Sequence, residues 1–217
     1  PIADIARGLA AKNPQTLLHT DAVQGFLKVP CSARNLGADF ITLSAHKIGG
    51  PKGVGALYIS PRVKLPKPLL EGGLRSGTEA TAQIAGFSKA VELRCDGLAE
   101  KLRHMELLKA YAVERLASIP DLKILSTGGA PHILPVSLEG WPSQNIVNDL
   151  GSQDIFISAG SACHRGKPSH VVAALGLPKK VAGGAVRLSF GPETTTAEID
   201  ACADALRVHH DTRMPML

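Results

Sequence analysis

Three side chains of this 217-residue sequence combine reactive groups with unusual neighbours: Lys47, Asp21 and Cys163. Lys47 closes the run Ser44-Ala45-His46-Lys47, which follows the apolar stretch Asp39-Phe40-Ile41-Thr42-Leu43 and precedes glycine-rich residues 49–55. A strand of β-branched and aromatic residues makes a rigid base, and glycines beyond it let backbone approach a bound group closely. Taken alone, a lysine at a strand end reads as a surface charge. Asp21 changes that balance, because Asp21-Ala22-Val23-Gln24 follows a second short apolar run, Thr16-Leu17-Leu18-His19. An acid and an amine then stand at two strand ends.

Such a pair matches what pyridoxal phosphate requires: an amine for a Schiff base and a carboxylate that keeps the pyridine nitrogen protonated. Cys163 lies in Gly160-Ser161-Ala162-Cys163-His164-Arg165-Gly166-Lys167, a glycine-containing, electropositive setting that favours thiolate. The other cysteines, at 31, 95 and 202, make no CxxC pair with each other or with Cys163 and no zinc-ligand spacing, which argues against a disulfide framework. Cys95 and Cys202 fall in helical patterns, where a thiol behaves as a small buried hydrophobe, and Cys31 follows a proline in a loop.

The elements that must position these groups follow from periodicity. Residues 2–11 carry apolar positions at helical spacing, ended by Lys12-Asn13-Pro14. Strands are expected near 16–20, 39–44 and 54–59, then a proline-rich loop over 61–68. From 81 to 119, Ile84, Phe87, Val91, Leu98, Leu102, Leu108, Val113 and Leu116 predict one long helix or two, with Gly97 as the break. Beyond Pro120 the pattern predicts strands at 122–125, 133–138, 155–158 and 186–190, and helices near 143–151, 169–176 and 196–208. The expectation is an α/β fold: part of an α/β layer over residues 1–85, then a connecting helix and a small α+β domain over 86–217.

Composition narrows the partners. With 44% hydrophobic residues and a net charge of +5, the chain is long enough for one large or two small cores. No apolar stretch reaches the roughly 20 residues of a membrane helix, and no signal-peptide pattern opens the sequence, so a cytoplasmic protein is expected. Its basic residues are scattered rather than clustered with aromatics, which gives no nucleic-acid surface.

Five ordered segments carry a resemblance: His19-Thr20-Asp21-Ala22-Val23-Gln24, Ser44-Ala45-His46-Lys47, Arg75-Ser76-Gly77-Thr78-Glu79, Gly160-Ser161-Ala162-Cys163 and Ala185-Val186-Arg187-Leu188-Ser189. In this order they resemble the cysteine desulfurases, class V aminotransferase relatives among the fold-type I pyridoxal phosphate enzymes. The resemblance implies Lys47 as the Schiff-base lysine and Asp21 as the partner of the pyridinium nitrogen. It implies Gln24 on the ring's phenolic oxygen, Ser44 and His46 on the phosphate, and Thr78 on the phosphate in the other subunit of a homodimer. Arg187 would take the substrate carboxylate with its planar fork. L-cysteine would yield L-alanine, its sulfur passing to Cys163 as a persulfide and then to an acceptor or scaffold protein, for example in iron-sulfur cluster assembly. Within the same superfamily, a selenocysteine lyase or a cysteine-sulfinate desulfinase shares Lys47, Asp21 and Arg187 but depends differently on the thiol. A non-catalytic partner chain is the reading from another class.

The resemblance also implies a longer protein, of which this chain is the C-terminal portion. The family's N-terminal strands, phosphate-cradling segment and ring-stacking histidine have no counterpart here, so weak or absent cofactor binding is expected of this chain alone. Leu70-Glu71-Gly72-Gly73-Leu74-Arg75 is also shorter than the family's lead into the Arg-Ser-Gly-Thr motif.

Overall fold

The β-branched and aromatic run Phe40–Ser44 forms the middle strand of a three-stranded sheet, β2, and its neighbours set the geometry of everything around Lys47. The computed structural model describes residues 1–64, 77–159 and 170–216. It divides into two compact units, Pro1–Leu98 and Ala99–Leu217. The division expected after residue 85 falls inside a helix of the first unit, Thr81–Cys95.

In the first unit, helix α1 (Ile2–Lys12) precedes strand β1 (His19–Asp21), and a one-turn helix α2 (Ala33–Leu36) leads into β2. A 3-10 helix (Ala45–Ile48), strand β3 (Gly55–Ile59) and helix α3 (Thr81–Cys95) complete it. The sheet is mixed: β1 runs parallel to β2, with Asp21 beside Thr42, while β3 is antiparallel, with Ser44 beside Gly55. Strand β1 starts later than its apolar run because a side chain has claimed the preceding backbone. The Leu18 amide donates to Asp39 Oδ2 at 2.8 Å, and Thr16 closes a turn onto Asn13.

Asp39 is 1% exposed and draws in Arg62, whose Nη2 donates to Oδ2 at 2.6 Å and whose Nε donates to Oδ1. Arg62 also donates to the carbonyls of Pro14 and Thr16, at 3.0 and 3.2 Å. One buried carboxylate thereby ties the start of β1, the start of β2 and the segment after β3. The hydrogen bonds from Arg62 hold its pKa below the usual carboxylate value. The apolar interior of this unit is thin, with small clusters around Ile41 and around Ile48 and Phe87.

The second unit is built on α4 (Leu98–Leu116), a three-stranded antiparallel sheet of β4 (Leu122–Ile124), β5 (Ile133–Leu138) and β6 (Ala185–Ser189), and α5 (Ser143–Gly151). Two short helices, α6 (His170–Ala174) and α7 (Lys179–Gly183), precede β6, and α8 (Thr196–Thr212) follows it. The strand order is β4-β5-β6. A large core gathers Leu116, Leu134, Leu138, Ile146, Leu150 and Leu206, each at most 1% exposed. A capping box, in which Thr195 and Glu198 each satisfy the other's backbone amide, starts α8.

Two expectations need correction. The run 155–158 is not a strand of the sheet; it touches it through a bridge between Ser158 and Arg187, after Asp154 has turned the chain at φ 60. Cys95 is exposed, since the inward stripe of α3 runs Phe87, Ala90, Val91, Arg94, and the next residue lies about 100° round the helix. Cys202, by contrast, is buried, which pushes its thiol up to about 11 and leaves it inert at neutral pH. Gly97 does separate α3 from α4, at φ 59. Among the described residues, no helix is long and apolar enough to cross a membrane.

Candidate functional site

Strand parity sorts the residues of β1 and β2 onto two faces. With Asp21 beside Thr42 and His19 beside Phe40, the side chains of His19, Asp21, Thr42 and Ser44 share one face, while Ile41 turns to the other and is buried. The register is reinforced by a hydrogen bond between His19 Nε2 and Thr42 Oγ1 at 2.6 Å and by the Ala22 amide donating to the Thr42 carbonyl at 3.0 Å. The polar face ends where both parallel strands end at their carboxyl termini, the edge at which open α/β sheets bind ligands.

At that edge Asp21 is exposed, and its Oδ1 accepts from the Val23 amide at 2.9 Å. The other carboxylate oxygen takes no hydrogen bond from the described residues. Gln24 is exposed in the turn that follows β1, closed by the amides of Gly25 and Phe26 onto the Ala22 carbonyl at 3.0 and 2.8 Å. Ser44 Oγ lies 2.8 Å from His46 Nδ1, joining a hydroxyl and an imidazole at the end of β2.

Lys47 sits in the 3-10 helix, flanked by buried residues: Ala45 is 0% exposed and Ile48 3%. Its own side chain is half-buried and makes no hydrogen bond or ion pair with any described residue. The turn is packed so closely that Gly50 has no room for a side chain, since a Cβ there would lie 2.9 Å from that of Ala45. Gly49, in the left-handed region at φ 87, closes it by donating to the Ala45 carbonyl.

The structure thus brings Asp21, Gln24, Ser44, His46 and Lys47 onto adjoining segments of one unit. Thr78 is exposed on the stretch leading into α3. Arg187 belongs to the second unit, on the outer face of β6, where its Nε donates to Ser189 Oγ at 3.2 Å. Cys163, Arg75 and Ser76 lie outside the described residues. Two cavities of about 480 and 420 Å³ in the second unit, beside Trp141 and beside Lys109, include none of the sequence-predicted residues. Sequence reading missed His19 and Thr42 as members of the polar face. The signal was present, since His19 stands two residues before Asp21, the period of a strand.

Residues 1–202 match the family model for aminotransferase class V. The chain is 36% identical over 217 residues to cysteine desulfurase IscS of Clostridium botulinum, covering 95% of this chain and 54% of that protein. It is 37% identical over 209 residues to cysteine desulfurase IscS of Methanosarcina thermophila, covering 92% and 51%. Among solved structures, a NifS-like protein superposes with a TM-score of 0.87 at 33% identity, over 98% of this chain and 57% of that one. A NifS-like protein from Rickettsia africae gives 0.84 at 30% identity, over 97% and 57%. The chain spans about half the length of the curated relatives it matches. Since the match to the family model takes in both units, from α1 into α8, the chain belongs to the class V aminotransferases.

Proposed function

We propose that this chain carries the lysine side of a pyridoxal phosphate site and belongs to a cysteine desulfurase. The observation that carries the reading is the pairing of a half-buried amine that no described residue holds with an exposed carboxylate on the adjacent parallel strand. The donor set fits the cofactor. Asp21 keeps one oxygen for a protonated ring nitrogen, Lys47 Nζ can bind covalently, and the Ser44–His46 pair can donate to phosphate oxygens. Gln24 stands within the same turn system for the phenolic oxygen, and Thr78 would serve the partner subunit's phosphate in a cytoplasmic homodimer. In this reading the first unit is part of the cofactor-binding large domain, and the second is the small domain with the cysteine loop.

The cofactor, when bound, supplies an electron sink for charge at the substrate Cα. Asp21 would maintain that sink by accepting a hydrogen bond from the ring nitrogen. Lys47 Nζ would be the group to move the Cα proton. Arg187 would hold the substrate carboxylate through two parallel N–H bonds. Cys163 thiolate would attack the substrate sulfur: an S–S bond forms, the C–S bond breaks, and the electron pair left on carbon takes a proton to give L-alanine. The persulfide on Cys163 then passes to an acceptor protein.

Incubation with pyridoxal phosphate, borohydride reduction and peptide mapping test the amine; alanine release from L-cysteine, in this chain and in a longer chain that contains it, tests the reaction. The expected result in the longer chain is a pyridoxyl group on Lys47, absent in Lys47→Ala, and alanine formation abolished by Cys163→Ala, with little or no labelling of the 217-residue chain alone. Activity on selenocysteine or cysteine sulfinate that survives Cys163→Ala would assign the chain to that rival chemistry. Labelling without turnover in either chain would leave a partner or scaffold role.

A further inference from the structure

Lys47 is fixed from behind by β2, whose last residue Ser44 pairs with Gly55, and from the front by the residue that follows it. That residue, Ile48, is 3% exposed, and its carbonyl is one of the terminal acceptors that a short helix leaves unsatisfied. Arg94 reaches it from α3, 46 residues away in sequence: Nε donates to the Ile48 carbonyl at 3.1 Å. Its Nη2 lies 3.6 Å from where a Cβ on Gly49 would stand, so the guanidinium covers the closing residue of the turn as well. A cation at the carboxyl end of a helical turn also opposes the partial negative charge gathered there.

Arg94 occupies the position seven residues after Phe87, on the stripe of α3 that faces inward with Ala90 and Val91. A charged residue at that place in an apolar stripe has a polar object to meet, and the object is the Lys47 turn. The contact belongs to none of the five motif segments. Ala45, Gly50 and Ala90 pack the start and end of the turn by shape alone, whereas the Ile48 carbonyl is reached by a directional, charge-assisted bond.

We propose that Arg94 is a positioning residue for Lys47: by anchoring the carbonyl of the next residue it holds the turn in the form that presents the amine at the ends of β1 and β2. This rests on the reading of Lys47 as the cofactor-binding lysine. The guanidinium needs no contact with cofactor or substrate to do so.

Two measurements test it, made on a longer chain that contains these 217 residues, with Arg94→Ala, Arg94→Gln and Arg94→Lys alongside the wild type. The first is amide hydrogen exchange at Gly49 and Gly50, whose amides both donate to the Ala45 carbonyl. The second is the rate of pyridoxylation at Lys47, trapped by borohydride and followed against pH. Losing one charge-assisted hydrogen bond is expected to speed exchange and slow trapping by about tenfold in Arg94→Ala and Arg94→Gln, with Arg94→Lys between them and the wild type. Exchange in the middle of α3 should stay unchanged, which separates local release from general loosening. Wild-type trapping in a folded Arg94→Gln overturns the positioning role while leaving the lysine reading intact. In that longer chain, trapping at Lys47 no faster than at surface lysines of the wild type overturns both.

Discussion

Lys109 and Lys47 are both lysines withdrawn from bulk water, one in each unit, and their surroundings treat them in opposite ways. Lys109, 8% exposed on α4, spends its ammonium on the carbonyls of Gly128 and Ala130 at 2.7 and 3.0 Å, and burial lowers its pKa. Lys47 has its backbone locked on both sides and its amine left without a described partner. A structural amine is one whose head is committed; an amine open to chemistry has a committed backbone and an idle head. The same contrast extends to the units. The second holds itself together by enclosing a broad apolar core, while the first, with thin clusters, depends on directed polar ties at each end of its sheet: Asp39 with Arg62, and Arg94 with Ile48.

Mutations can break that contrast. The largest effect is expected from Leu206→Ala in the second unit's core, a loss of about 3 kcal/mol measured by urea unfolding, because a fully buried leucine leaves a cavity. Pyridoxylation of Lys47 in the folded variant should match the wild type; a tenfold change would end the division of labour between the units. Asp39→Asn comes next, at roughly 2 kcal/mol, from weakened charge-assisted bonds at a buried site. Thr195→Ala, which removes the cap of α8, should cost about 1 kcal/mol.

Titration sharpens the same comparison. Asp39 has a folded pKa below its ordinary value, so its stabilising contribution is complete above the unfolded value near 3.9 and is lost as pH falls towards the lowered folded one. Asp149 follows the same rule in the second unit, lowered first by Arg213 and then by His209. Lys109 works at the other end of the scale. Its folded pKa is depressed, so the unfolded chain binds more protons in the interval up to about 10.4, and stability should rise with pH across it. Replacing Lys109 by Met should flatten that alkaline rise, read from urea midpoints followed from neutral to alkaline pH.

Much of this was legible in the sequence wherever a pattern was long or a residue stood at a special place. The apolar spacing of 133–138 and 143–151 coincides with β5 and α5, and Gly97 does break the long helical stretch. The two short apolar runs from which the placement of Asp21 and Lys47 is read prove to be parallel neighbours, with Asp21 closing β1 and Lys47 in the 3-10 helix that follows β2. Tertiary ties were harder to foresee. That Leu18 abandons β1 depends on Asp39, and Asp39 in turn on Arg62, a residue 23 positions later with no local signature. Arg94 was hidden for the opposite reason: its position fits an apolar stripe, so its charge looked like one more exposed residue on α3. Cys95 misled because inclusion in a helix was equated with burial, though its angle on α3 points elsewhere.

The left-handed glycine between α3 and α4 has a further consequence. Strands β1 to β3 all lie before Gly97 and strands β4 to β6 all lie after it, so among the described residues each backbone ladder is completed within one contiguous stretch of chain. A recombination event at this codon would leave the ladders of these six strands whole. The pairings that place Lys47 and those that place Arg187 are thus each inherited as one unbroken run of sequence.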